Sequence, residues 1–169
     1  MTDNAVTDLV EWLHSFKSRI DIDVLTAQMA EMPLSVEQFK DYIEFSDERY
    51  QRNLVASGEQ FYALVMCWKP GQAAAVHDHR AASCGVRVLQ GTATETSYRW
   101  QDKKLVVNAV RQQTVGDVCG SFDADIHDIR NNGSENLVTL HIYSPCLSDI
   151  NIYNLETGEV SVFTDPLVV

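Results

Sequence analysis

Apolar residues keep a helical period at the start of the chain and a strand period after it. Val6, Leu9, Val10, Leu13, Phe16 and Ile20 recur every three or four positions, one apolar stripe on a helix. A second short helix is predicted through DVLTAQMAEM, residues 23–32, and Pro33 breaks that pattern. Ser35 followed three residues later by Gln38 makes a capping box, and the helix it opens carries Val36, Phe39, Tyr42 and Ile43 on its apolar face. Such stripes can serve a partner, but packing on the chain's own core is the commoner use and is the expectation here.

From about Tyr50 the period changes. FYALVMCW, CGVRVLQG, TATETSYRW, KLVVNAV, LVTLHIYS, INIYNL and VSVF are short β-favouring runs. They are separated by the turn-formers Ser57-Gly58, Pro70-Gly71, Gly91, Asn131-Asn132-Gly133 and Thr157-Gly158. Many short strands with closely spaced turns predict a mainly β chain, an antiparallel sandwich or barrel under a small N-terminal helical cap. A length of 169 residues suits one domain, 1–169, with 1–45 as the cap and 50–165 as the barrel.

Charge narrows the partners. The formal net charge is -11, from 13 basic and 24 acidic residues, which argues against nucleic acid or an anionic membrane. No apolar run approaches the ~18 residues that cross a bilayer, and the polar, acidic start MTDNAVTDLVEWLHSF does not read as a signal peptide. Cys67, Cys84, Cys119 and Cys146 form no CxxC pair, so reduced thiols in a cytoplasmic protein are expected for Cys67, Cys119 and Cys146, with Cys84 set apart by its place near the histidines.

The chemistry concentrates on the histidines. His77 and His79 stand at i and i+2; on a strand both imidazoles face the same side, with Asp78 pointing away. His127 and His141 fall in the later β region, whereas His14 reads as a surface histidine of the cap. Imidazole suits zinc, copper, iron and nickel. Spacing alone leaves the third ligand open between His127, His141 and a carboxylate of Asp123, Asp125 or Asp128.

Two blocks resemble the cupin family. Gly71, His77, His79 and Gly91 fall in register with the first cupin motif, with Cys84 at the place of its glutamate. Gly116, His127 and Asn131 fit the second, where Phe122 and Ala124 replace its proline and glycine. A cupin with cysteine in place of that glutamate resembles the cysteine dioxygenases, specifically the arginine-type bacterial thiol dioxygenases. RYQRNLV (49–55), CWKPG (67–71) and LHIYSP (140–145) are similar to further segments of that family, and the likeness runs from about Glu44 to Thr157.

The resemblance implies a cupin double-stranded β-helix, or jelly-roll, barrel with His77, His79 and His127 on one Fe(II). It places His141 beside the metal as the support of Tyr143, Tyr143 against the substrate, and Arg52 with Tyr50 at the substrate carboxylate. Arg80 and Arg87 are rivals to Arg52 by chemistry but lack the motif context, and Trp68 reads as packing behind the site. Cys84 and Tyr143 match the pair that forms a thioether in the family's animal members, a position often glycine in bacterial relatives. An all-histidine site keeps the metal's full charge and suits an anionic thiolate. The implied activity is oxidation of L-cysteine with O2 to cysteine sulfinic acid by a monomeric enzyme. The alternatives are a dioxygenase of another small thiol acid, such as 3-mercaptopropionate, whose branch usually carries glutamine at the Arg52 position, and a metal-binding cupin of other function.

Overall fold

The computed structural model describes residues 5–164; residues 1–4 and 165–169, which the sequence reading assigns to the ends of the cap and barrel, lie outside the described residues. Two α-helices open the chain, α1 (Ala5–His14) and α2 (Ile22–Glu31), followed by a 3-10 helix, Val36–Tyr42. The predicted first stripe is longer than its helix. Phe16 and Ile20 lie past the end of α1, and Ile20 is fully buried where its N–H donates to Ser144 Oγ at 2.8 Å. The helix opened at Ser35 is 3-10 rather than α: it is only seven residues long, and Ile43 turns extended directly after it. Gln38 still caps it, its Oε1 accepting the Ser35 N–H at 2.7 Å.

Ten strands follow: β1 (Gln51–Gly58), β2 (Phe61–Trp68), β3 (Ser83–Gln90), β4 (Ala93–Gln101), β5 (Lys104–Gln113), β6 (Val118–Phe122), β7 (Ile126–Arg130), β8 (Leu137–Ser144), β9 (Asp149–Tyr153) and β10 (Val160–Thr164). β1, β6 and β7 were not among the predicted runs. β1 is nowhere fully buried, β6 is interrupted by Gly120, and β7 spends His127 and Asp128 on polar partners. Each lacks the apolar run on which a strand prediction rests.

The larger sheet has the order β1-β2-β8-β3-β6, all antiparallel. The second contains β5-β4-β7. Isolated bridges from His77 to His127 and to Ile152 continue it through the 76–78 segment to β9 and β10. Two facing antiparallel sheets joined in this way make the double-stranded β-helix of a cupin barrel.

β2 and β8 are buried along their whole length because both faces are covered. Phe61, Ala63, Val65 and Cys67 of β2, with Val138, Leu140 and Ile142 of β8, pack under Leu9, Leu13, Leu25, Met29 and Phe39 of the helical segments. The alternate residues Tyr62, Leu64, Met66, Trp68 and Tyr143 turn into the barrel. On β3 the outward position 85 is glycine, where a Cβ would lie 2.5 Å from Met29 Sδ and 3.1 Å from Leu25 Cγ. Arg87, the next outward residue, donates to the carbonyls of Met29 and Leu34 and to that of Met32 at 2.8 Å, closing the exit of α2. The helices therefore brace one face of a sheet whose other face turns into the barrel.

Candidate metal centre

One extended segment and one strand deliver three imidazoles to one point. One nitrogen each of His77, His79 and His127 lies within 4.8 Å of the others. Their ring centroids are 4.9 to 5.0 Å apart. His77 and His79 are not in a strand, as the i, i+2 reading supposed. They sit on an extended segment stitched by the His77–His127 bridge, His77 N–H to His127 O at 2.9 Å and its reciprocal at 3.0 Å. Extended geometry alone gives the same-side placement.

Each ring is oriented through its Nδ1. His77 Nδ1 bonds to the Ala75 carbonyl at 2.8 Å, and His79 Nδ1 lies 3.1 Å from Ser121 Oγ. His127 Nδ1 donates to Glu95 Oε1 at 2.8 Å. These partners leave Nε2 as the converging atom. The Nε2 atoms of His79 and His127 are buried and have no partner among the described residues. An orphaned buried nitrogen is rare in a folded protein, and two aimed at one point fit a bound cation. Burial, then the neighbouring imidazoles, hold His79 well below the ordinary histidine range and His77 down to about 4, the neutral form a metal requires.

The other ligand candidates are spent elsewhere. Asp128 accepts from Tyr98 at 2.8 Å and from Arg130 at 2.7 Å. Asp123 Oδ1 accepts from Ala81 N–H and Asp125 Oδ2 from Phe122 N–H, both at 2.9 Å, so both carboxylates close turns. His141 joins a chain of polar groups on β8: Trp68 Nε1 donates to Thr139 Oγ1 at 3.0 Å, Thr139 Oγ1 lies 2.9 Å from His141 Nε2, and His141 Nδ1 is 3.4 Å from the Tyr143 hydroxyl. His14 is exposed on α1, edge-on to Phe61.

Cys84 and Tyr143 are direct cross-strand partners in the β3–β8 ladder, both turned into the barrel. Burial raises both groups above their ordinary values, keeping thiol and phenol protonated. Cys67 faces the helices instead, and all four cysteines are unpaired.

These groups line a cavity of about 510 Å³ that also contains Tyr50, Arg52, Trp68, Leu147, Ile150, Ile152 and Phe163. Arg52 comes from β1, and its positive charge helps to lower His141, after burial and the His127 charge. Tyr50 stacks on Trp68 with centroids 4.2 Å apart and 18° between planes, which fixes the mouth of β1. Arg80 pairs with Asp149 at 3.8 Å on the surface, and Arg87 serves α2; neither lines the cavity. Glu95 behind His127 was not singled out from the sequence, and Asp78 was read only as pointing away from the histidines, without the Asn151 and Tyr153 partners it has. Neither belongs to a motif, and only tertiary pairing reveals them.

A Homo sapiens cysteine dioxygenase type 1 is 28% identical over 167 residues, covering 94% of this chain and 84% of that protein. The Danio rerio cysteine dioxygenase type 1 is 29% identical, covering 94% and 83%. Among solved structures, a Klebsiella pneumoniae protein with a double-stranded β-helix domain overlays with a TM-score of 0.52 at 18% identity, covering 75% of this chain and 94% of that one. A Desulfovibrio desulfuricans RmlC-like cupin gives 0.50 at 24% identity, covering 61% and 89%. The family model for cysteine dioxygenase type I matches residues 1–156, and the chain belongs to that family.

Proposed function

We propose that this chain is a non-haem Fe(II) thiol dioxygenase that oxidises L-cysteine with O2 to cysteine sulfinic acid, both oxygen atoms entering the product. The observation that carries the reading is the cluster of three imidazoles with two Nε2 atoms that have no partner among the described residues, at the wall of a cavity that also holds a guanidinium. Bound there, Fe(II) would supply a soft site for the substrate thiolate and the means to activate O2. His77, His79 and His127 would hold it. Among the described residues no carboxylate joins them, so the ion keeps the charge that an anionic thiolate answers.

Arg52 receives the substrate carboxylate through paired N–H donors, and this selects amino-acid thiols over simple ones. Tyr50 holds the β1 mouth against Trp68. The Trp68–Thr139–His141 chain sets a proton. Trp68 can only donate, and the Thr139 hydroxyl that accepts from it would donate onward to His141 Nε2. A neutral His141 then carries its proton on Nδ1, facing the Tyr143 oxygen. Tyr143 accepts there and keeps its own O–H to donate towards Cys84 and the cavity. Cys84 and Tyr143, cross-strand partners, would form a thioether with loss of two hydrogens to O2 as the oxidant. Every group named comes from one chain, so a monomer suffices, and the proposed setting is the cytoplasm.

The test is O2 uptake and sulfinate formation after anaerobic Fe(II) loading, with cysteine and 3-mercaptopropionate compared. Cysteine is expected to have the larger kcat/KM, and Arg52→Gln to lower it for cysteine. A large preference for 3-mercaptopropionate would overturn the assignment of substrate. Stoichiometric metal without thiol-dependent O2 uptake would leave a cupin of other function.

A further inference from the structure

We propose that Ser121 is a positioning residue of the metal centre: its one hydroxyl sets the His79 imidazole and hands that ring's hydrogen bond on to Cys84, so that a metal ligand and the Cys84–Tyr143 pair share a single polar link. The proposal rests on the metal and thioether readings above. Ser121 belongs to β6 and is only 5% exposed. Its Oγ lies 3.1 Å from His79 Nδ1. In the β3–β6 ladder it stands directly opposite Cys84, and in the β3–β8 ladder Cys84 stands directly opposite Tyr143. Side chains of such partners share one face of the sheet, with Cβ atoms about 4.5–5.5 Å apart. Ser121, Cys84 and Tyr143 therefore make one row across β6, β3 and β8, which are neighbours in the sheet. His79 lies against both ends of that row: it meets Ser121 through Nδ1, and its ring centroid is 5.8 Å from that of Tyr143.

Proton counting gives the link its direction. With His79 Nε2 turned to an ion, the ring's one proton is on Nδ1, so His79 donates and Ser121 Oγ accepts. A hydroxyl has one hydrogen to give, and that of Ser121 is then available to a second acceptor. Across the ladder that acceptor is the Cys84 sulfur. Burial and then the neighbouring Cys119 push the Cys84 thiol up, and hydrogen bonds from Tyr143 and Ser121 pull it back. Two hydroxyls thus converge on one sulfur, each from a strand that flanks β3.

This convergence bears on the covalent step. The thioether joins Cys84 Sγ to a ring carbon of Tyr143. An S–H bond and a ring C–H bond break, and two protons and two electrons pass to O2, giving hydrogen peroxide. Negative charge gathers on the sulfur as its proton leaves, and a hydroxyl that donates to it stabilises that charge. Alanine at position 121 would leave His79 Nδ1–H without its acceptor and the sulfur with one donor fewer.

The experiment compares Ser121→Ala, Ser121→Thr and Ser121→Val with the wild-type full chain. Fe(II) and Co(II) affinity is read by chelator competition without oxygen, the Co(II) centre by its visible absorption at full loading, and the Cys84–Tyr143 thioether by mass spectrometry of digests against turnovers completed. Ser121→Ala is expected to bind both ions roughly tenfold more weakly and to alter the Co(II) bands. It is expected to need about fivefold more turnovers for the same thioether fraction. Ser121→Thr keeps the hydroxyl and is expected to stay within about twofold of the wild type in affinity and thioether yield. Ser121→Val has the shape of threonine without the hydroxyl and is expected to follow alanine; the Thr–Val comparison holds even where packing lowers both melts. Threonine and valine chains that behave alike overturn the role of the hydroxyl. An alanine chain with wild-type affinity and Co(II) bands overturns the link to His79, and an unchanged thioether yield per turnover at equal metal loading overturns the link to Cys84. A wild type that binds neither ion overturns the metal reading itself, whereas one that binds the ion and forms no thioether overturns the link to Cys84 alone.

Discussion

Replacing Glu95 with glutamine tests how the third imidazole is held. The carboxylate sits 2.8 Å from His127 Nδ1, and the two side chains are only 10% and 4% exposed, so water screens the contact little. A hydrogen bond to a charged group in such a place is worth about 1.5–3 kcal/mol. Carboxylates behind a ligating histidine typically change metal affinity by about 10–100-fold, which is about 1.4–2.7 kcal/mol, the same range. Glutamine keeps an acceptor for the Nδ1–H but not the charge, so Glu95→Gln is expected near the lower end, roughly tenfold weaker binding. Alanine removes both and also strips Gln113 Nε2 of its partner at 3.4 Å, so Glu95→Ala is expected near a hundredfold. The assay is competition with a chromogenic chelator under anaerobic conditions, using Fe(II) and Co(II). Thermal melts of the metal-free variants separate loss of fold from loss of affinity. If both variants melt like the wild type and bind metal within about twofold of it, Glu95 does not tune the centre and the reasoning fails.

Two further perturbations address the scaffold and the cross-strand pair. Gly85→Ala places a Cβ against Met29 and Leu25 and is expected to cost about 1–3 kcal/mol, or roughly 2–12 °C in Tm by circular dichroism; an unchanged melt would mean that α2 does not need its close seat on β3. Cys84→Ser is expected to abolish any thioether-linked peptide pair seen by mass spectrometry of tryptic digests after turnover, where the wild type gains a Cys84–Tyr143 species two hydrogens lighter. Absence of that species from the wild type after many turnovers would show that cross-strand placement is not sufficient for the bond.

How much of this was legible beforehand depends on where the information lies. Stripes such as Leu9–Leu13 and the runs of β2 and β8 announce themselves, because burial on both faces demands apolar residues at every position. β7 does not: its five residues include His127 and Asp128, whose partners Glu95, Tyr98 and Arg130 are met only after folding. The histidines were visible as a set because motif spacing records them; spacing alone left His127, His141 and the aspartates open, and the family resemblance singled out His127, which the coordinates place with His77 and His79. Asp123 and Asp125 differ from a ligand only in that each closes a turn, and sequence distance does not encode that. Cys84 shows the same division. Its register opposite Tyr143 follows from the β3–β8 pairing, and the missing carboxylate at that position is balanced one layer further out by Glu95, which reaches the cluster through an imidazole rather than directly. A negative charge one bond removed orients and polarises His127 while leaving the inner positions to imidazole and substrate. That separation lets one site be both held by an acid and open to a thiolate, and the metal affinities of Glu95→Gln and Glu95→Ala bear on it directly.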